Sequence, residues 1–413
     1  MPFSSRDRLM KITTGEALFL LGVAVPLLAG GNTLFVLEPE TAIHVFDLVT
    51  VLVAWQLLRS GTGTEDRSWA VRVATYSLLV LAPWWTAALL FRVSGPRASL
   101  EAQGIFCGIL LFTSLSHREL VRETLSQFVR GLLVGTLATA AFGQYQYWIA
   151  FPRTAPLAQA AGIPVIAVVN ANFYNANCYG VFLAAVTLLG IGLAAERREP
   201  LAWGAIPVFT ITLLLSESRS TVVLLLLGLL LLAASSESRL RVAFGRLGTA
   251  ALWVLLPGAV GAAAGMVDLQ EFWRVGALGR VAIWQGSLAM IRDHWVLGIG
   301  LGSFADYFTR YRLNTYYTRY PHSFLLEIAA ELGIIGFAAV SVFLACSLAR
   351  PISLATSAVF WHGSRSISPL WLAVALACAV LVLHGLVDID WHAPANPILL
   401  CILLGAAQSA RAA

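Results

Sequence analysis

Charge is what this chain has least of. Of its 413 residues, 12% are Asp, Glu, Lys or Arg, while 58% are hydrophobic and the mean hydropathy is +0.78. A soluble domain carries roughly 25% charged residues, because its surface must face water. So little charge excludes the two or three soluble domains that the length would otherwise allow. Clustered positive charge is missing too. The net charge of +5 comes from basic residues scattered between apolar runs, which argues against a nucleic-acid partner. Paired cysteines are also lacking. Cys107, Cys178, Cys346, Cys378 and Cys401 fall in or beside apolar runs without CxxC spacing, so neither a disulfide framework nor a zinc site is indicated. No internal repeat or low-complexity segment stands out.

What is present is a series of apolar runs about as long as a bilayer crossing. They fall near 16–37, 41–59, 69–91, 99–115, 126–149, 176–194, 200–216, 219–234, 247–265, 322–345, 369–387 and 395–411. Each must be helical, since backbone polar groups have no partners in lipid. The expectation is an all-α polytopic membrane protein of about twelve transmembrane helices. Residues 1–265 carry nine of them, 266–321 form a long loop, and 322–413 carry the last three. The first run follows a basic start (Arg6, Arg8, Lys11) and is too long for a cleaved signal peptide, so it is expected to remain as a helix.

Basic residues orient this series. With the N-terminus in the cytoplasm, seventeen of the 27 Lys and Arg residues fall in cytoplasmic segments. The short loops opposite hold Arg92, Arg97, Arg153 and Arg219. That bias places both termini of this inner-membrane protein in the cytoplasm. The long loop carries the remaining six arginines, and long loops cross largely regardless of charge. Within it, 277–293 reads as an amphipathic helix lying in the interface, with Leu278, Ile283, Leu288 and Ile291 opposed to Arg280, Gln285 and Arg292.

Four features converge on the extracytoplasmic, periplasmic face. Arg219 sits in the polar hinge Ser216-Glu217-Ser218-Arg219-Ser220. Arg280 and Trp284 are spaced i, i+4 and share a side of the loop helix. His322 opens the tenth span, and Asp388 follows the eleventh. Arginine offers a planar fork of donors that matches phosphate oxygens. Histidine can take a proton from an attacking hydroxyl. A carboxylate beside it can fix its tautomer or hold an acceptor sugar. Such a set suits transfer from a phosphate-activated lipid.

The segment from Arg280 to Gly336 resembles the signature region of the O-antigen ligase and polymerase family. The matching elements are Arg280-Val281-Ala282-Ile283-Trp284, Gly298-Ile299-Gly300-Leu301-Gly302-Ser303-Phe304, His322-Ser323-Phe324-Leu325-Leu326-Glu327 and Glu331-Leu332-Gly333-Ile334-Ile335-Gly336. Val296 stands where the family often has proline, and Ser323 where it usually has asparagine. The resemblance implies an inverting, metal-independent glycosyltransferase of the GT-C class with no cofactor. Its donor would be a glycan on undecaprenyl pyrophosphate and its acceptor lipid A-core, both met among membrane lipids. It implies His322 as general base, and Arg219 and Arg280 on the pyrophosphate. Asp388, Trp284, Arg312 and Arg319 would orient groups or hold the acceptor. The protein-modifying branch tends to carry a C-terminal extracytoplasmic extension, whereas the last span here ends near Ala413, so a ligase is expected. A polymerase, an O-oligosaccharyltransferase and, from another class, a twelve-helix transporter stay open.

Other residues admit structural readings. Asp388 and Asp390 spell DxD, the spacing of a metal site in nucleotide-sugar enzymes. Glu327 and Glu331 lie i, i+4 on the tenth span, with Glu331 near mid-membrane, as an internal partner or a proton path. The Gly298–Gly302 run lacks a preceding strand and reads as a turn for close packing. Asn170, Asn172, Asn175 and Asn177 suit turns or sugar binding. Tyr307, Phe308, Tyr311, Tyr316, Tyr317 and Tyr320 suit sugar stacking or an interfacial belt.

Overall fold

A computed structural model describes residues 13–31, 39–59, 69–81, 95–116, 122–162, 167–234, 278–313, 318–360 and 367–409. Among them the chain is helical, with one isolated bridge between Gly31 and Phe173 and no strand. The helices are α1 (Thr14–Leu28), α2 (Pro39–Arg59), α3 (Trp69–Leu79), α4 (Gly95–Ser116), α5 (Arg122–Tyr145), α6 (Phe151–Ala160), α7 (Ala176–Arg197), α8 (Pro200–Leu215) and α9 (Arg219–Ala234). After them come α10 (Leu278–Asp293), α11 (Phe304–Phe308), α12 (Phe324–Phe360), α13 (Pro369–Gly385) and α14 (Ala395–Gln408). Three helical stretches are long and apolar enough to cross a membrane: Arg122–Ala160, Ala176–Arg197 and Phe324–Ala358. Seven shorter apolar helices accompany them. Residues 247–265, expected as the ninth span, lie outside the described residues, as do Tyr316 and Tyr317.

Local chemistry sets the ends of these helices. Thr13 and Glu16 form a capping box at α1, with Thr13 Oγ1 accepting from the Glu16 amide and Glu16 Oε2 accepting from the Thr13 amide. Asn175 caps α7 by accepting from the Asn177 amide at 2.7 Å. Pro200 and Pro369 stand in the first turns of α8 and α13, where a missing N–H costs nothing. Arg198 ends α7 in the left-handed region.

α7 is apolar on every side and buried at every residue from Cys178 to Ala195, as expected of a helix surrounded by others. α13, α8 and α5 pack around it. α1 lies against α5 through Gly131 and Gly135. A Cβ on Gly131 would fall 2.0 Å from the Phe19 carbonyl oxygen, so only glycine allows this approach. α10 and α11 form a smaller cluster on the first turns of α12, built on Ile283, Met290, Phe304, Phe308 and Ala330.

Two spans differ from the expectation. α5 does not end near 149 but runs through a π-helical turn, Gln146–Ala150, into α6. α12 reaches Phe360 and is broken at Gly333 (φ 62°, ψ −165°). The break has a packing cause. A Cβ on Gly333 would lie 2.2 Å from the Val296 carbonyl oxygen, and one on Gly298 would lie 2.3 Å from Glu331. The glycine-rich stretch therefore docks directly on the kink. The Ile334 amide donates to the Trp295 carbonyl, and the Ile299 and Gly300 amides donate to those of Ala330 and Glu331. Glu331 completes the joint, its two carboxylate oxygens accepting from the Gly302 and Phe304 amides at 2.7 and 2.9 Å. A carboxylate holding two backbone N–H groups is a structural partner, which answers the question its position raised.

Candidate active site

Asp388 is the hub. Its side chain is 1% exposed, and a carboxylate that far from water needs partners. Oδ2 accepts from Arg280 Nη2 at 2.8 Å and from Asn177 Nδ2 at 2.8 Å. Oδ1 accepts from the Ile389 amide at 2.8 Å and lies 3.4 Å from His322 Nδ1. Burial raises the Asp388 carboxyl, but the His322 contact and the Arg280 charge outweigh it and hold the group at about 2. Asp388 is therefore ionised at any physiological pH.

Four elements deliver these groups. Asn177 comes from the first turn of α7, Arg280 from the first turn of α10, and Asp388 from the turn after α13. His322 stands two residues before α12, with φ at +54°. A non-glycine residue in the left-handed region costs roughly 1–3 kcal/mol, and such strain concentrates at functional positions. Trp284 explains how the strain is held, since its Nε1 donates to the Pro321 carbonyl at 3.0 Å. The i, i+4 pair on α10 thus grips the site twice: Arg280 takes the carboxylate and Trp284 takes the residue before the histidine.

Arg280 and His322 remain partly open, with side chains 32% and 27% exposed. One guanidinium nitrogen meets Asp388, leaving most of the fork for an anion. A carboxylate at Nδ1 favours the proton there, which leaves Nε2 as the basic nitrogen.

The other sequence-derived residues occupy distinct places. Arg219 is exposed at the start of α9, after Glu217 in the left-handed region. Its neighbours Ser220 and Thr221 reach His384 Nε2 at 2.8 and 3.2 Å, and His384 Nδ1 meets Asp390. Arg219 is thereby tied to the Asp388 turn through two intermediates. Arg312 and Arg319 lie exposed on the stretch between α11 and His322. Asp388 and Asp390 face different partners rather than one point, and among the described residues no three His, Cys, Asp or Glu side chains come together as metal ligands. Of the asparagines, Asn177 serves the site, Asn172 donates to the Pro26 carbonyl and Asn175 caps α7.

Sequence reasoning missed two pairs. One is His384 with Asp390. The other is His392, whose Nε2 lies 2.8 Å from Glu327 Oε2 and whose ring stacks on Tyr320 at 3.5 Å. Phe324 stacks on Trp391 beside it. Glu327 and His392 also help line an apolar cavity of about 120 Å³, walled by residues such as Leu78, Ile109, Leu332, Phe343 and Leu400. Glu327 and His392 are 65 positions apart, and His384 meets Asp390 only because the turn after α13 folds back on it, so the histidine-rich turn near 384–392 was the one signal in the sequence.

Residues 204–341 match the family described as O-antigen ligase. This segment is similar to that family. It holds Arg219, Arg280, Trp284 and His322, while Asp388 and Asn177 lie outside it. The family indicates ligase- or polymerase-type glycan transfer, and the apolar helices indicate a membrane enzyme. Among curated proteins, none matches the chain.

Proposed function

We propose that this protein is an O-antigen ligase, moving a glycan from undecaprenyl pyrophosphate to lipid A-core on the periplasmic face of the inner membrane. The observation that carries the reading is the Asp388 hub, where one ionised carboxylate holds an arginine and a histidine that both remain accessible. Arg280, with Arg219, receives the donor pyrophosphate. His322 Nε2 takes the proton from the acceptor hydroxyl as its oxygen attacks the anomeric carbon. The bond from that carbon to phosphate oxygen breaks, and its electron pair leaves with undecaprenyl pyrophosphate. Attack opposite the leaving group inverts the anomeric centre.

Magnitudes favour this division of labour. Charge develops on the leaving phosphate oxygens, and losing one preorganised contact to such charge costs about 10²–10³ in rate. A positioned general base adds about 10²–10⁴. The apolar cavity beside Glu327 and His392 suits an isoprenoid chain, because its wall is almost entirely hydrocarbon. The twelve-span, GT-C-type arrangement, with the periplasmic loop 266–321 between two sets of spans, belongs to the same proposal. Arg312 and Arg319 lie on that loop, where anionic groups of the acceptor would meet them.

The test is a reconstituted transfer assay. Purified protein is mixed with undecaprenyl-pyrophosphate glycan and lipid A-core in the presence of EDTA. A shift of lipid A-core to higher mass, lost in His322→Ala, is the expected result. Longer lipid-linked glycans without that shift make the protein a polymerase instead. Transfer that continues undiminished in His322→Ala overturns the mechanism.

A further inference from the structure

His384 is buried in the last turn of α13, and both of its ring nitrogens are engaged. Nδ1 lies 2.5 Å from Asp390 Oδ2, and both side chains are 0% exposed. Nε2 lies 2.8 Å from Ser220 Oγ and 3.2 Å from Thr221 Oγ1. Thr221 in turn meets Ser218 Oγ at 2.6 Å. The histidine thus clasps the residues on both sides of Arg219, directly at Ser220 and Thr221 and through Thr221 at Ser218. Its other anchor is equally firm. Asn396 Nδ2 donates to the Asp390 carbonyl oxygen and to that of Cys178, which fixes the turn against α7 and α14.

Packing does not explain this arrangement. A buried ionisable pair costs desolvation, and well-packed apolar residues in its place are often as stable or more so. A buried polar contact does fix geometry, because it is satisfied in only one arrangement. Here the arrangement joins the first turn of α9, where Arg219 stands, to a residue two positions from Asp388. Neither side chain is exposed enough to touch a substrate.

We propose that His384 and Asp390 form a positioning dyad that sets Arg219 in register with the Asp388–His322 centre, so that the two arginines meet one pyrophosphate together. The proposal rests on the ligase reading for the identity of that ligand. The dyad acts through Arg219 and takes no part in bond making.

The test is a double-mutant cycle. His384→Phe should raise the KM for undecaprenyl-pyrophosphate glycan by about tenfold with a smaller change in kcat, and Ser220→Ala should move it the same way by less. In an Arg219→Ala background, His384→Phe should add almost nothing. Multiplicative effects of the two substitutions overturn the proposal. Should His384→Phe fail to fold, Ser220→Ala carries the cycle, since it leaves the dyad in place and removes the shorter of its two links to α9. Hydrogen exchange supplies a readout independent of transfer. The amides of Thr221 and Val222 should exchange faster in Ser220→Ala than in wild type, while those of α10 stay unchanged. Unaltered exchange at those amides overturns the dyad even with an active enzyme. Faster exchange there in Ser220→Ala, together with a wild-type protein that shows no transfer, supports the dyad and removes the ligase reading instead.

Discussion

Asp388 and Asp390 stand two residues apart in one turn, each beside a histidine, and they live in different worlds. Asp388 is buried itself but holds partners about a third exposed, so its charge reaches the surface through Arg280 and His322. Asp390 and His384 are both sealed, and nothing they hold is open to a ligand except through the hydroxyls of α9. The same residue types at nearly the same place therefore divide, under the proposed mechanism, into a pair that meets substrate and a pair that holds the frame. What separates them is which neighbour faces outward.

Substitutions can break or sharpen that contrast. The largest effect belongs to His322→Ala, expected to lower transfer by about 10²–10⁴ with little change in donor binding, as measured by initial rates and donor affinity. Arg280→Ala follows at about 10²–10³, and it should weaken donor binding as well. The sealed pair should respond in the opposite currency. Asp390→Ala leaves His384 buried without its carboxylate and should destabilise the protein by on the order of 3 kcal/mol, read as a lower melting temperature in detergent. An Asp390→Ala protein that melts like wild type would erase the contrast.

The smallest effect is one of pH. Asp388 is held at about 2, below its ordinary value, so the stability it contributes is complete above the usual carboxylate range. That contribution disappears only as pH falls toward 2. The gap in melting temperature between wild type and Asp388→Asn should stay constant from pH 8 to pH 5 and close below about pH 4. A gap that closes already near neutrality would mean that the carboxylate is not held by its cations.

The sequence made the buried helices plain because burial from all sides needs apolar residues on all sides. α7, α13 and α14 are legible as unbroken runs. The site residues were legible for a different reason. His322 and Asp388 stand at the edges of apolar runs, where a charged residue has to be explained, and Arg280 shares a side of the loop helix with Trp284. What stayed hidden depends on distant partners. Asn177 donates to a carboxylate 211 positions away, and His384 meets a serine 164 positions away. No periodicity records such pairs. The break in α12 was half visible: Gly333 is written in the chain, but its positive φ follows from the Val296 carbonyl pressing on it.

The hydrogen bond from Asn177 to Asp388 carries a consequence for how the enzyme meets its bilayer. Asn177 opens α7, whose body no lipid touches, so the carboxylate takes its position from a post insulated from the surroundings. Arg219 and Arg280 ride on α9 and α10, which present Val223, Leu230, Val281 and Leu288 outward. Under the proposed topology, changes in membrane thickness would reach the arginines before the acid. Under the proposed mechanism, lipid composition would tune how tightly the donor is gripped while Asp388 keeps its place.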